Sequence, residues 1–385
     1  KYDHRLSSIF FWTPGDRFVV QGDKIDYHNT NAVDWLGGFA QVERASEAGS
    51  LYAMVGASQI SYTFEDFWKR DPNNTNAFNV IESGNITGYQ IKGGAVRNLS
   101  QELSVYGNAG YVSKVPIFDG VIDDGSGILN PDPTNETFIS FEAGTKYRAL
   151  ERGISFDASF YYTKWNDRTR NQFVRNIDGA GTDGLVNILG LDAMHMGIEL
   201  QGAYQPNALV RFDAAGSIGN WKYANDVAAT YRPDQGQGAT QEFNLYLDGL
   251  KVGDAPQTQF SYAASIFPAE GLSIQAVGKT FMKHYADYDP FSRQDPTDRA
   301  QSWQAPNYTV FDLHAAVNLT DYLPGLSGGD VRFFANVFNV FDKLYVSDAT
   351  DNSRFNGFDG DHDADDAEIY VGLPRTFNLG FSIRY

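Results

Sequence analysis

The sequence predicts an all-β fold of antiparallel strands, and three observations carry that expectation. Apolar and polar residues alternate with period two in segment after segment, while helical spacing is nowhere sustained. Tyr (22), Phe (28) and Gly (38) are abundant, as strands and tight turns require. Short turns alternate along the chain with long polar connections.

In chain order, Ile154, Phe156, Ala158, Phe160 and Tyr162 interleave with Ser155, Asp157, Ser159, Tyr161 and Thr163. Val210, Phe212, Ala214, Gly216 and Ile218 do the same against Arg211, Asp213, Ala215 and Ser217. Phe311, Leu313, Ala315, Val317 and Leu319 alternate with Asp312, His314, Ala316 and Asn318. The last run sets Phe377, Leu379, Phe381, Ile383 and Tyr385 against Asn378, Gly380, Ser382 and Arg384. In a strand, each set occupies one face.

Short connections fall near Glu47–Gly49, Asn98–Gln101, Leu150–Gly153, Gln205–Ala208, Pro268–Gly271 and Tyr322–Gly328. Between them lie long stretches rich in Asp, Asn, Gly and Pro: Val115–Glu136, Asn166–Leu189, Met282–Gln304 and Val346–Glu368. Compact soluble domains seldom hold several structureless loops of that length. Outer-membrane barrels pair short periplasmic turns with long external loops, so the expected fold is an antiparallel transmembrane β-barrel. The markers give about thirteen strands, and single-chain bacterial barrels use even numbers. Residues 1–385 are therefore expected to be the C-terminal portion of one larger barrel domain.

Composition narrows the function. A net charge of −18 lacks the basic face that nucleic acid demands. No stretch approaches 18 consecutive apolar residues, which excludes transmembrane helices. The absence of Cys excludes disulfides, thiolate metal sites and thiol nucleophiles. The start at Lys1, without Met or signal peptide, suggests a processed or partial chain.

Several segments resemble TonB-dependent outer-membrane transporters. Gly372-Leu373-Pro374-Arg375-Thr376-Phe377 through Tyr385 is similar to that family's final strand, and Asn336–Tyr345, with its Asn-x-Phe-Asn core, to its penultimate strand. Pro306–Leu313 resembles the strand before. Asp254–Gln257 with Gly271–Ser273, Glu142–Lys146, Gly197–Leu200 and Ser113–Phe118 follow in family order. Tyr285–Pro290 and the closing Leu-Pro-Arg-Thr-Phe look most like the branch with an N-terminal carboxypeptidase-regulatory-like domain.

The resemblance implies a barrel of 22 strands with a plugged lumen, of which the plug, the TonB box and about nine strands are not in this chain. It also implies residence in the outer membrane of a Gram-negative bacterium. The implied activity is import of a scarce nutrient, such as a siderophore, oligosaccharide or peptide, energised by the TonB–ExbB–ExbD complex. Implied partners are outer-membrane lipid, the nutrient ligand and a surface lipoprotein. A passive porin or a non-transporting surface receptor is the alternative, and a membrane-bound hydrolase a third reading. No enzyme signature supports the last: G-x-S-x-G is absent and the six His are scattered, with His314 on a polar face.

Three further patterns bear on sites. Gly179-Ala180-Gly181-Thr182-Asp183-Gly184 is a literal G-x-G-x-x-G, but Leu185–Leu189 leaves no room for the helix that dinucleotide binding needs, so a loop is expected. Tyr285, Tyr288 and Asp289 are candidate ligand contacts, because aromatic faces and a fixed carboxylate suit sugars or cationic groups. No cofactor is required. The run Asp359, Asp361, Asp363, Asp365 nevertheless places carboxylates at alternate positions, as a Ca²⁺ loop begins, with Glu368 as a fifth candidate ligand.

Overall fold

Thirteen strands pair in sequence order into one antiparallel wall: β1 (Lys24–Ser46), β2 (Gly49–Asp71), β3 (Ile86–Asn98), β4 (Leu103–Lys114), β5 (Glu136–Ala149), β6 (Ile154–Val174), β7 (Gly184–Tyr204), β8 (Val210–Tyr223), β9 (Thr258–Ala269), β10 (Leu272–Met282), β11 (Tyr308–Asn318), β12 (Asp330–Phe338) and β13 (Thr376–Arg384). The computed structural model describes residues 2–5, 11–13, 17–19, 22–71, 74–123, 127–174, 184–233, 239–321, 330–357 and 359–384. Four shorter strands extend the wall into a 17-stranded sheet: Tyr2–Arg5, Asn74–Glu82, Val227–Pro233 and Gln241–Leu245.

Registers run from β1 to β13, and among the described residues no register joins β13 back to β1. From Val33 to Ser46 both faces of the first strand are exposed: Trp35 is 74% exposed and its neighbour Leu36 76%. The wall is thus an open portion of a barrel, as the odd strand count requires.

The registers hold the period-two pattern across the wall. Phe377, Leu379 and Phe381 pair with Val337, Ala335 and Phe333, which follow Leu313, Ala315 and Val317 on the same face. This face stays bare, with Phe377, Leu379 and Phe381 between 67% and 72% exposed. In water such a patch would be far larger than monomers tolerate. In a bilayer it meets hydrocarbon, while the ladder pairs the backbone polar groups of the strands between the two free edges. The opposite face carries Glu142, Glu199, Lys279, Asp312, His314 and Asn336.

Glycine and aromatic residues meet across the strands. Gly144 stands opposite Tyr106, Gly197 opposite Tyr161, Gly216 opposite Phe260, Gly278 opposite Tyr262 and Gly380 opposite Phe334. In each pair the ring lies where a glycine Cβ would be. This covers the bare glycine backbone and explains why the chain needs both residue types.

The long connections are more structured than expected. Strands β1 and β2 are 23 residues long and β6 and β7 are 21, about twice what a bilayer crossing needs. Asn166–Val174, expected as loop, continues β6 beyond the membrane. Apolar burial is concentrated at this end: Val186, Ile188, Leu191, Tyr223, Leu245 and Leu247 form one core, and Tyr62, Phe64, Val121 and Ile122 another. A further long connection, between β8 and β9, escaped the sequence pattern. It carries the hairpin Val227–Pro233/Gln241–Leu245. The expected turn Tyr322–Gly328 lies outside the described residues.

Candidate functional site

The polar face of the wall encloses a hollow of about 710 Å³. Its lining runs from Tyr106 on β4 through Glu142, Glu199 and Trp221 to Lys279 on β10, strands that can meet only if the sheet curves. Alternation puts these side chains inward, and they pair with one another. Tyr106 donates to Glu142 Oε1 at 2.6 Å, and Trp221 Nε1 donates to the Tyr161 hydroxyl at 2.8 Å. Lys279 Nζ reaches Asp312 Oδ2 at 2.8 Å. Half-exposed pairs of this kind add little stability. Their effect is a wet surface of paired charges and aromatic edges, suited to binding a polar solute.

Above the wall, three external connections lock together. Arg170 at the top of β6 forms a bidentate pair with Asp287, between β10 and β11, and its guanidinium lies 4.7 Å from the Tyr288 ring. The Asp287 backbone bonds both ways to the connection after β12, giving to Ala349 O and accepting from Asp351 N. Arg293, 1% exposed, contacts Asp298 and Asp351 at 3.5 and 3.6 Å. His362 Nε2 lies 2.7 Å from Asp298 and its Nδ1 2.8 Å from Asp351. Burial alone would lower the His362 pKa, but the two carboxylates outweigh it and hold it raised.

The proposed ligand contacts occupy three environments here. Tyr285 is half-buried in the two-residue ladder His284–Tyr285/Gln304–Ala305. Tyr288 is 1% exposed and packs edge-on against Tyr223 at 5.4 Å in the apolar core. Burial pushes its hydroxyl pKa up. Asp289 caps the short 3₁₀ turn Pro290–Ser292, accepting from Phe291 N at 3.0 Å, and burial raises its pKa. The three do not share one open surface. Tyr288 is covered by the core that contains Val227, Ala229 and Tyr231, whose own alternation was the available signal.

The acidic run folds into two carboxylate groups that share Asp361. Asp361, Asp363 and Asp365 form an exposed one; Asp359, Asp361 and Asp366 form the other, with ligand atoms within 4.8 Å of one another. Glu368 lies apart in the hairpin Val346–Asp351/Ala367–Val371, opposite Thr350. Sequence reading passed over Asp366, which is 1% exposed. His314 hydrogen-bonds Asn336 Oδ1 at 2.8 Å inside the wall and stands edge-on to the Phe338 ring. Of the glycine-rich hexapeptide, Gly184 opens β7 and residues 179–183 lie outside the described residues.

Comparison with known proteins agrees with this architecture. The family described as "TonB dependent receptor-like, beta-barrel" matches residues 4–340. The chain belongs to this family. Comparison with curated proteins returned no match.

Solved structures similar to this TonB-dependent receptor barrel include the ferric-catecholate import receptor Fiu of E. coli K12, with 15% identity over 96% of this chain and 46% of that one, at a TM-score of 0.61. The copper transporter OprC shows 17% identity over 96% and 50%, at 0.61. The ferric citrate transporter FecA in its unliganded form shows 12% over 96% and 48%, at 0.62. The chain thus spans about half the length of the structures it matches. At these identities the likeness speaks to fold. The family consists of transporters and receptors of the Gram-negative outer membrane, and membership places the bare apolar face in lipid.

Proposed function

We propose that this chain forms the C-terminal part of a barrel that, in the complete protein, imports a scarce nutrient with energy from the TonB–ExbB–ExbD complex. The observation that carries this reading is the hollow of paired polar groups on the inner face, standing below an ordered external crown. A wall of this kind gives a solute a wet path, and the crown gives it a place to be selected. The cargo classes considered are siderophore complexes, oligosaccharides and peptides, with copper added because one similar structure is a copper transporter. Within the crown, Tyr285 is the ligand-facing member of its trio, while Tyr288 and Asp289 shape the loop that presents it.

The test is uptake in a strain lacking the complete gene, across labelled ferric siderophores, copper, oligosaccharides and peptides. Loss of one class, with the same loss when TonB is deleted, is expected. Uptake that persists without TonB would identify a passive pore, and binding without uptake a surface receptor; either overturns the reading. Tyr285→Ala should weaken binding of the cargo so identified.

A further inference from the structure

We propose that Asp366, with Asp359 and Asp361, holds a calcium ion in the external connection between β12 and β13. The acidic run alone would not carry this, since exposed carboxylates are commonly solvated. What carries it is Asp366. Its side chain is buried, its oxygens lie in one group with those of Asp359 and Asp361, and neither Asp366 oxygen has a hydrogen bond of full geometry, the His362 backbone N–H acting on the carboxyl only as a minor influence. A buried carboxylate without a full hydrogen bond is costly to keep ionised unless a cation compensates it.

His362 and Arg293 make their close contacts with other carboxylates. His362 sits between Asp298 and Asp351, and Arg293 contacts the same two carboxylates. The backbone also closes around the group: Gly357 has φ +60°, and a Cβ there would collide with Asp366 Oδ1. Three carboxylates in one spot offer hard oxygen ligands only, the donor set that calcium takes with six to eight ligands and flexible geometry. Magnesium demands a tighter octahedron and keeps its water.

The exposed group has a different explanation. Asp361 accepts from Asp363 N at 3.2 Å and Asp363 from Asp365 N at 2.9 Å, so local turns already use those side chains. Asp366 is instead anchored across the loop, its carbonyl accepting from Asn352 N at 2.7 Å. A cation at Asp366 therefore ties the returning limb of the loop to residues 359–361. That fixes His362 for its contact with Asp298 in the connection between β10 and β11, so one ion clasps two external loops.

The complete protein, in detergent and stripped with chelator, is titrated calorimetrically with CaCl₂ and separately with MgCl₂. Calcium should bind with a dissociation constant of about 10⁻⁴ M, and magnesium about tenfold more weakly or less well still. Asp366→Asn should weaken calcium about tenfold or more, while Asp363→Asn stays within about threefold of the parent. If Asp366→Asn does not fold, Asp359→Asn answers the same question and should show the same loss. Absence of calcium binding up to about 10 mM overturns the proposal. So does parent-like affinity in the Asp366 and Asp359 variants, a loss in Asp363→Asn equal to theirs, or equal affinity for magnesium.

Discussion

The guanidinium of Arg170 grips both oxygens of Asp287, joining the top of β6 to the connection between β10 and β11. Their side chains are 16% and 11% exposed, so the pair works in a largely dry setting. Removing one partner strands the other charge, which costs about 3–5 kcal/mol where burial is complete and somewhat less here. Arg170→Ala should therefore release the crown without opening the membrane wall. Amide exchange should accelerate at 284–305 and at 349–351, whose backbone hangs from Asp287, and stay unchanged in β12 and β13. The double variant Arg170→Met/Asp287→Leu should recover much of that protection. Equal exchange in parent and Arg170→Ala would mean that the pair does not hold the loops.

Gly278 and Tyr262 face each other on the lipid side of β9 and β10, the ring lying over the bare backbone. Gly278→Ala forces that ring away and should destabilise the barrel by about 1–3 kcal/mol, the usual cost of overpacking. Removing the ring first leaves room for the methyl group. Tyr262→Ala/Gly278→Ala should then cost less than the two single changes combined, by about 1 kcal/mol or more. Unfolding by denaturant in detergent micelles, followed by Trp fluorescence, reads the cycle. Strict additivity would deny the ring-on-glycine contact.

Sidedness follows from strand parity, since every second connection lies at the same end. Asp361 belongs to the long end, and Asn207, between β7 and β8, to the short one. The chain has no native Cys, so single cysteines can be placed without background. In intact cells an impermeant maleimide should modify Asp361→Cys and spare Asn207→Cys until the outer membrane is breached. The reverse pattern would turn the barrel upside down.

The wall was legible in the sequence because one rule governs it. A strand between lipid and lumen must alternate, and Phe377, Leu379 and Phe381 show that alternation without help from distant residues. The crown was not legible, because its burial is made by contacts far apart in sequence. Tyr288 reads as an exposed loop aromatic until the hairpin at Val227–Pro233 is laid over it. Asp366 and Asp365 are adjacent and chemically identical, yet one is buried and the other exposed, a difference set by Asn352 and Gly357 across the loop. Trp165 and Tyr308 show a smaller version of the problem. Strand aromatics often meet the membrane interface, but strand parity turns these two to the inner face, where Trp165 lies over Phe138 and Tyr308 stacks on Tyr345.

Asp226 and Arg299 tie the connection after β8 to the one after β10, with two parallel bonds of 2.8 and 2.9 Å. Arg299 chiefly, with a bond from Asp248 N, holds the Asp226 carboxyl down at about 2, against an ordinary 3.8. A depressed acid stabilises the docked loops wherever it is ionised in both states, above about pH 4. That contribution fades as the pH falls from 3.8 towards 2, where the docked form must take up a proton. Both side chains are more than a third exposed, so solvent and salt screen the pair and the effect is modest. Pepsin cleaves throughout this range and can report the opening of residues 224–257. Nicking of the parent, corrected for pepsin's own pH profile, should quicken between about pH 4 and pH 2. In Asp226→Asn it should already be fast at the upper limit and change little below it. Raising the salt to about 1 M should narrow the gap between the two proteins. Superimposable profiles for parent and variant would show that this pair contributes nothing to holding the loops together.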